Sequence, residues 1–301
     1  MALVVTWLVL CVAALLAAGG AARRSLAVAV AASSTIVPLV ICSFPLVRVI
    51  AGIAAAVGVA RTVDLVREQR SRPADARVLQ VIIVFDWRQA TRATRQLDLR
   101  GALRTVVYAS LATLAVLCVF YTRTHSLMLW LGSLGAAIAI WAAAEALSTL
   151  VTVLVRLTGW SLPSLHHRPI ESKTLAELWG SRWNLTVTRW LHATVFLPVA
   201  RRHGARVGLL ATFVVSALFH AYIAFAGGGA RLALWMGSFF IVQALLVLLE
   251  RALGVGRWPA LAARTWILTG MLLPSPLFTE PMVAVSAPAL SPLAATSCSC
   301  P

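Results

Sequence analysis

The sequence predicts an all-α integral membrane protein of about eight transmembrane helices, with amphipathic interfacial helices in two basic segments. Three observations lead there. The 301 residues are 60% hydrophobic and only 12% charged, with a mean hydropathy of +0.87, whereas soluble domains average about 25% charged residues. Apolar runs near the roughly 20 residues that a helix needs to cross a bilayer recur along the chain. The net charge of +16 is confined to the polar stretches between those runs. That placement reads as loop orientation rather than a nucleic-acid footprint, so no nucleic-acid partner is expected.

Residues 3–18 form the first apolar run, ending at Arg23 and Arg24. A signal peptide is the competing reading, but a positive leading region is missing, so a spanning helix is expected. Residues 26–60 are long enough for two short spans, with a turn at Ser43 to Pro45, a kink at Pro38 and Arg48 snorkelling to the interface. Residues 61–104 carry ten arginines, and VLQVIIVFDW within them is too short to span. An interfacial helix with Trp87 at headgroup depth fits it. Residues 105–121 and 127–155 then make a helical hairpin across the connector TRTHS, which holds His125. Glu145 lies inside the second of these. A second basic block covers residues 156–206. Residues 206–226, 232–250 and 262–279 complete the spans, and the tail from Glu280 reads as unstructured.

The organisation expected is therefore N-terminal helices over 1–60, a basic segment over 61–104, a transmembrane region over 105–279 with core motifs at 174–222, and a tail over 280–301. The two basic blocks hold 18 of the 26 Lys and Arg residues. Two spans separate them, so they share a side, which the positive-inside rule makes cytoplasmic. Cys11, Cys42 and Cys118 lie in apolar runs as small hydrophobes. Cys298 and Cys300 form a lone C-x-C with no second pair to complete a metal or redox site.

The chemistry concentrates between Thr174 and Tyr222. Thr174 and Glu177 make a T-x-x-E capping box, so a helix should begin there. Continued as one helix, it places Trp179, Trp183 and Trp190 on roughly one face, with Asn184 beside the stripe and Arg182 and Arg189 elsewhere. His220 stands in the apolar run ATFVVSALFHAYIAF, one turn after Ser216. An amide and an imidazole at membrane depth cost several kcal/mol unless paired, so each is a functional candidate. Each also has a structural alternative: Asn184 bonding a neighbouring helix, His220 satisfied by a carbonyl or by Ser216. Nothing at ligand spacing accompanies His220, and His166 and His167 lack sequence partners, so no metal is expected.

The stretch W-G-x-R-W-N (Trp179 to Asn184) with Arg189, Trp190 and Pro198, followed by V-S-A-x-x-H-x-Y (Val215 to Tyr222), resembles the membrane-bound O-acyltransferase family and its wax synthase-like branch. RTVDL (Arg61 to Leu65) resembles that branch too. The resemblance implies transfer of a fatty acyl group from acyl-CoA, as co-substrate and with no other cofactor, to the hydroxyl of a hydrophobic acceptor. A long-chain alcohol giving a wax ester leads; a sterol, a diacylglycerol or a hydroxylated metabolite are the others. It implies His220 as general base and Asn184 as a positioning or stabilising amide. Trp179, Arg182, Trp183, Arg189, Trp190, Ser216 and Tyr222 are expected to line the substrate, with Arg201 and Arg202 as further phosphate partners. Relatives often carry an acidic residue where this chain has Ala221. The lipid bilayer is the surrounding partner, a bacterial inner membrane the expected location, and homo-oligomerisation stays open. A lipid carrier or flippase, and a family member with a structural role only, are the alternatives.

Overall fold

A computed structural model describes residues 1–41, 43–68, 73–82, 85, 89–123 and 129–290. Helices run in the order α1 (Ala2–Leu16), α2 (Ala21–Ser33), α3 (Val37–Val40), α4 (Pro45–Arg67), α5 (Ala74–Ile82), α6 (Leu99–Arg123) and α7 (Leu129–Leu157). They continue as α8 (Leu175–Glu177), α9 (Leu185–Leu191), α10 (Leu197–His203), α11 (Ala205–Gly228), α12 (Ala230–Leu253), α13 (Ala260–Leu272) and α14 (Ser275–Leu290). Among the described residues, two dipeptides are the sole strands: β1 (Thr91–Arg92) and β2 (Trp160–Ser161), paired antiparallel.

Among the described residues, six stretches are long and apolar enough to cross a membrane: Ala21–Val40, Pro45–Arg67, Leu99–Val119, Leu131–Leu157, Ala205–Gly228 and Ala230–Leu253. Ala2–Leu16 and Ala260–Leu272 are shorter apolar helices. On α6 and α7 leucines stand outward, Leu114 at 64% and Leu147 at 63% exposure. Such surfaces suit acyl chains as solvent. The chain is an all-α integral membrane protein.

Several boundaries differ from expectation. Arg23 and Arg24 begin a span rather than stop one, since α2 starts at Ala21. Arg61 and Thr62 lie buried inside α4 instead of opening a solvated block, and Arg61 Nη1 reaches Asp64 Oδ2 at 3.5 Å. The expected span 262–279 is cut at Pro274, where α13 has ended and α14 has not begun. Proline lacks an amide hydrogen and crowds the residue before it, so a helix breaks there. Residues 280–290, expected in an unstructured tail, are helical within α14. The readings placed on Trp87, His125, Cys42, Cys298 and Cys300 fall outside the described residues.

The chain forms two compact units. The first comprises Met1–Arg88, Phe219–Leu234 and Pro281–Pro301; the second comprises Gln89–Leu218 and Trp235–Glu280. In the first, Leu10, Ala13, Ala14, Ala27 and Ala31 bring α1 and α2 onto Leu65 of α4 and Val81 of α5. Alanines let helices approach closely enough for dispersion contacts to hold them where no hydrophobic effect separates helix from lipid. Val49, Ile223 and Val285 form a second core there. A Cβ on Gly227 would come within 2.7 Å of both Val49 and Val285, so the α11 backbone approaches those valines only because residue 227 has none.

In the second unit α6 and α7 pair as the predicted hairpin, with Tyr108 edge-on to Trp141 at 5.5 Å. Arg92 stacks over Trp160 at 4.1 Å. A core of Leu175, Leu178, Leu209 and Val247 joins α8, the turn after it, α11 and α12.

Candidate active site

The T-x-x-E box forms as predicted. Thr174 Oγ1 accepts the Glu177 N–H at 3.0 Å. The reciprocal arm lands one residue early, on the Lys173 N–H at 2.7 Å. Glu250, near the end of α12 and 3% exposed, takes the donors the box leaves over. It accepts from Leu175 N at 2.5 Å, Ala176 N at 3.0 Å and Trp266 Nε1 at 3.1 Å. Three donors thus converge on one buried carboxyl group at a helix start, where the peptide dipoles favour negative charge.

The expected single helix from Thr174 through Trp190 does not form. Leu178–Arg182 winds as a π-turn, whose closing bond runs from Trp183 N to Leu178 O. Trp183 is then extended and Asn184 left-handed, with φ 40° and ψ 61°. Asparagine is among the few residues with a side chain that adopt this conformation readily. Trp190 therefore lies on α9, past the break, and the three tryptophans are no stripe. Trp179 donates through Nε1 to Gln243 Oε1 at 3.1 Å, and Gln243, fully buried, donates through Nε2 to Gly270 O at 2.9 Å. Trp183 sits edge-on to Trp179 at 6.5 Å. Thr188 Oγ1 is shared between the Trp179 and Trp183 carbonyls at 3.1 and 3.0 Å, which the widened turn leaves without helical partners.

Asn184 is the N-cap of α9: its Oδ1 accepts the Val187 N–H at 3.4 Å. Capping fixes which end of the amide is oxygen. The Nδ2 group has no hydrogen-bond partner among the described residues. The half-buried Asn184 amide thus spends its acceptor on the fold and keeps its donors.

Arg182 is committed locally. Its Nε and Nη2 each meet Glu177 Oε1 at 2.7 Å. Its Nη1 donates to Arg168 O at 3.1 Å and lies 3.6 Å from Glu171 Oε2. Burial alone would raise the Glu177 carboxyl. The Lys173 N–H, the Arg182 hydrogen bond and the charges of Arg182 and Lys173 outweigh it and hold the group below the usual carboxylate range. Arg189 is exposed and donates to Gln89. Arg201 and Arg202, in the last turn of α10, are exposed together with His203.

His220 and Tyr222 lie on the part of α11 that belongs to the first unit, whereas Asn184, the tryptophans and Ser216 belong to the second. His220 is half-buried, its ring centroid 5.4 Å from that of Phe219. Tyr222 donates to Thr35 O at 2.9 Å and packs with Phe219 against the Val49–Ile223–Val285 core.

Sequence reasoning missed Gln243 and Glu250. A signal existed: both are polar positions of the apolar helix α12, seven residues apart and so on one face. Glu250 closes the expected span 232–250, next to the connector that begins at Arg251. From the sequence Glu145 is expected to pair with an arginine in the bundle interior or to lie near the interface; its partner is His166.

Residues 162–242 match the family profile described as "Membrane bound O-acyl transferase family". Curated relatives come from Arabidopsis thaliana. "Probable long-chain-alcohol O-fatty-acyltransferase 7" is 30% identical over 42% of this chain and 41% of its own length. "Probable long-chain-alcohol O-fatty-acyltransferase 2" is 31% identical over 34% of this chain and 32% of its own. "Acyl-CoA--sterol O-acyltransferase 1" is 30% identical over 44% and 42%. The chain thus spans about two fifths or less of the length of the curated relatives it matches. The matched segment contains the broken-helix turn with Asn184 and the α11 stretch with His220. The likeness read there, to the membrane-bound O-acyltransferase family and its wax synthase-like branch, is borne out.

Proposed function

We propose that this chain is a membrane O-acyltransferase that moves a fatty acyl group from acyl-CoA to the hydroxyl of a hydrophobic acceptor, with a long-chain alcohol as leading acceptor and a wax ester as product. The observation that carries the reading is the Asn184 turn. Within the segment that matches the family, an amide is held in a left-handed bend with its oxygen used as a cap and its N–H groups unspent. Donors in that state suit the oxygen of a thioester carbonyl as it gains negative charge.

In the proposed step, His220 takes the proton of the acceptor hydroxyl while its oxygen attacks the thioester carbon. The C–O bond forms, the C–S bond breaks, and the CoA thiolate recovers a proton from the imidazolium. General-base help of this kind contributes roughly 10²–10⁴ in rate. A fixed donor to the oxyanion contributes about 10²–10³. The phosphates of CoA would meet the exposed Arg201 and Arg202, with Arg189 nearer the turn; Arg182 serves the fold instead. The basic segments are read as cytoplasmic, where acyl-CoA is supplied.

The test is ester formation by membranes holding the protein, given labelled acyl-CoA and a panel of alcohols and sterols. Ester is expected, and His220→Ala should abolish it at unchanged protein level. Undiminished ester from His220→Ala removes the base. No ester with any acceptor, together with movement of intact lipid between leaflets, favours the carrier.

A further inference from the structure

Glu145 lies in the middle of the spanning helix α7, where an ionisable group demands a partner. That partner comes from the loop before α8. His166 Nδ1 lies 3.0 Å from Glu145 Oε1, with the two side chains 2% and 15% exposed. The approach is out of line with the ring N–H, so the two groups are in close polar contact without an aligned hydrogen bond. The other side of the ring rests on Trp183, centroid to centroid 4.4 Å. Both neighbours of His166 are tied to the Asn184 turn through the backbone. His167 N donates to Arg182 O at 2.8 Å, and Leu165 O accepts Leu185 N at 2.8 Å. The imidazole is thus the centre of a clamp, with its backbone arms on residues 182 and 185 and its ring on residue 183.

The left-handed region is open to asparagine but is one of several conformations it can take, so the surroundings must select the bend. The segment before the break has its own anchors, Glu250 and Gln243 on α12. The break itself is held from the side of α7. We propose that His166 and Glu145 are positioning residues for Asn184: the pair locks the Trp183–Asn184 bend and so aims the amide donors. This rests on the acyltransferase reading for its catalytic consequence, but not for its structural one.

Glu145→Gln, His166→Asn and the double variant, each as full chain in lipid nanodiscs, test it by two readouts. In amide hydrogen exchange, peptides covering residues 182–188 should exchange about tenfold faster in either single variant. Peptides covering 175–179 should not change, because their anchors are intact. In the ester assay kcat should fall about 10–100-fold, as small misplacements do, with KM for acyl-CoA within about twofold of wild type. The double variant should lose no more than the worse single one, since the pair acts as a unit. Unchanged exchange at 182–188 overturns the proposal, and so does equal acceleration at 175–179, which marks general loosening. If the wild-type chain forms no ester, the acyltransferase reading falls, and the exchange pattern alone decides whether the pair pins the bend.

Discussion

Asn184 carries two roles that substitution can separate. Its left-handed backbone and its cap on Val187 belong to folding; its Nδ2 donors belong to the proposed chemistry. Asn184→Gly keeps the backbone at no steric cost and loses a few tenths of a kcal/mol as a cap. Asn184→Ala loses the cap and strains the bend, about 2–3 kcal/mol together. Thermal unfolding should therefore rank wild type close to the glycine variant and well above the alanine variant. Ester formation should instead fall about 10²–10³-fold in both. A glycine variant with full activity would show that the amide serves the fold alone. Glu177 makes a prediction in pH. Its folded-state carboxyl titrates below the ordinary range, so the unfolded chain binds that proton more readily. The stability it contributes is fully present above the unfolded pKa, fades from about pH 4–5 downward, and is gone below the folded value. In Glu177→Gln the melting temperature should be lower at neutral pH, with a shallower fall on acidification across that window.

At the scale of elements, the site region depends on one acidic side chain far along the chain. Glu250 accepts three N–H donors on two oxygens. Glu250→Gln leaves one oxygen and turns an amide N–H₂ toward a donor, a cost of about 1–3 kcal/mol. Glu250→Ala leaves all three donors unpaired and should melt lower still. Hydrogen exchange of residues 175–177 should rise in step, and an unchanged melting temperature in both variants would show that the cap is dispensable. The capping box at Thr174 was legible because it is local, a side chain reaching three residues along. The anchors from Gln243 and Glu250 were not, because they join positions 64 to 75 residues apart, and periodicity carries no information at that range. The break at Trp183–Asn184 was hidden for a different reason. W-G-S-R-W-N-L-T contains no proline, and its tryptophan spacing imitates a helical face. The motif marks where the bend lies; the bend follows the π-turn, and the loop around His166 bonds to residues 182 and 185 on either side of it.

At the scale of the whole molecule, hydropathy settled the fold class and nearly all the span positions, because a bilayer imposes a length and a composition on every crossing. It misjudged the ends, at Arg23, Arg61 and Pro274, where a charged residue entered a helix or a proline divided one. Orientation follows from charge. With α6 and α7 crossing in turn, residues 89–98 and 158–204 fall on one side, and with α11 crossing next, the start of α12 falls on the other. The arginine-rich side should be the cytoplasm, because basic segments resist translocation. A chain with its native cysteines replaced by serine, carrying one new cysteine at Thr94, at His203 or at Ala230, all exposed, separates the possibilities. An impermeant maleimide should label Thr94→Cys and His203→Cys only in inverted vesicles and Ala230→Cys only in right-side-out ones. Labelling of Thr94→Cys and His203→Cys from opposite sides would mean an odd number of crossings between them and remove the α6–α7 hairpin. Labelling of both from outside would place Arg201 and Arg202 away from cytosolic acyl-CoA, and the phosphate contacts proposed for them would have no substrate to meet.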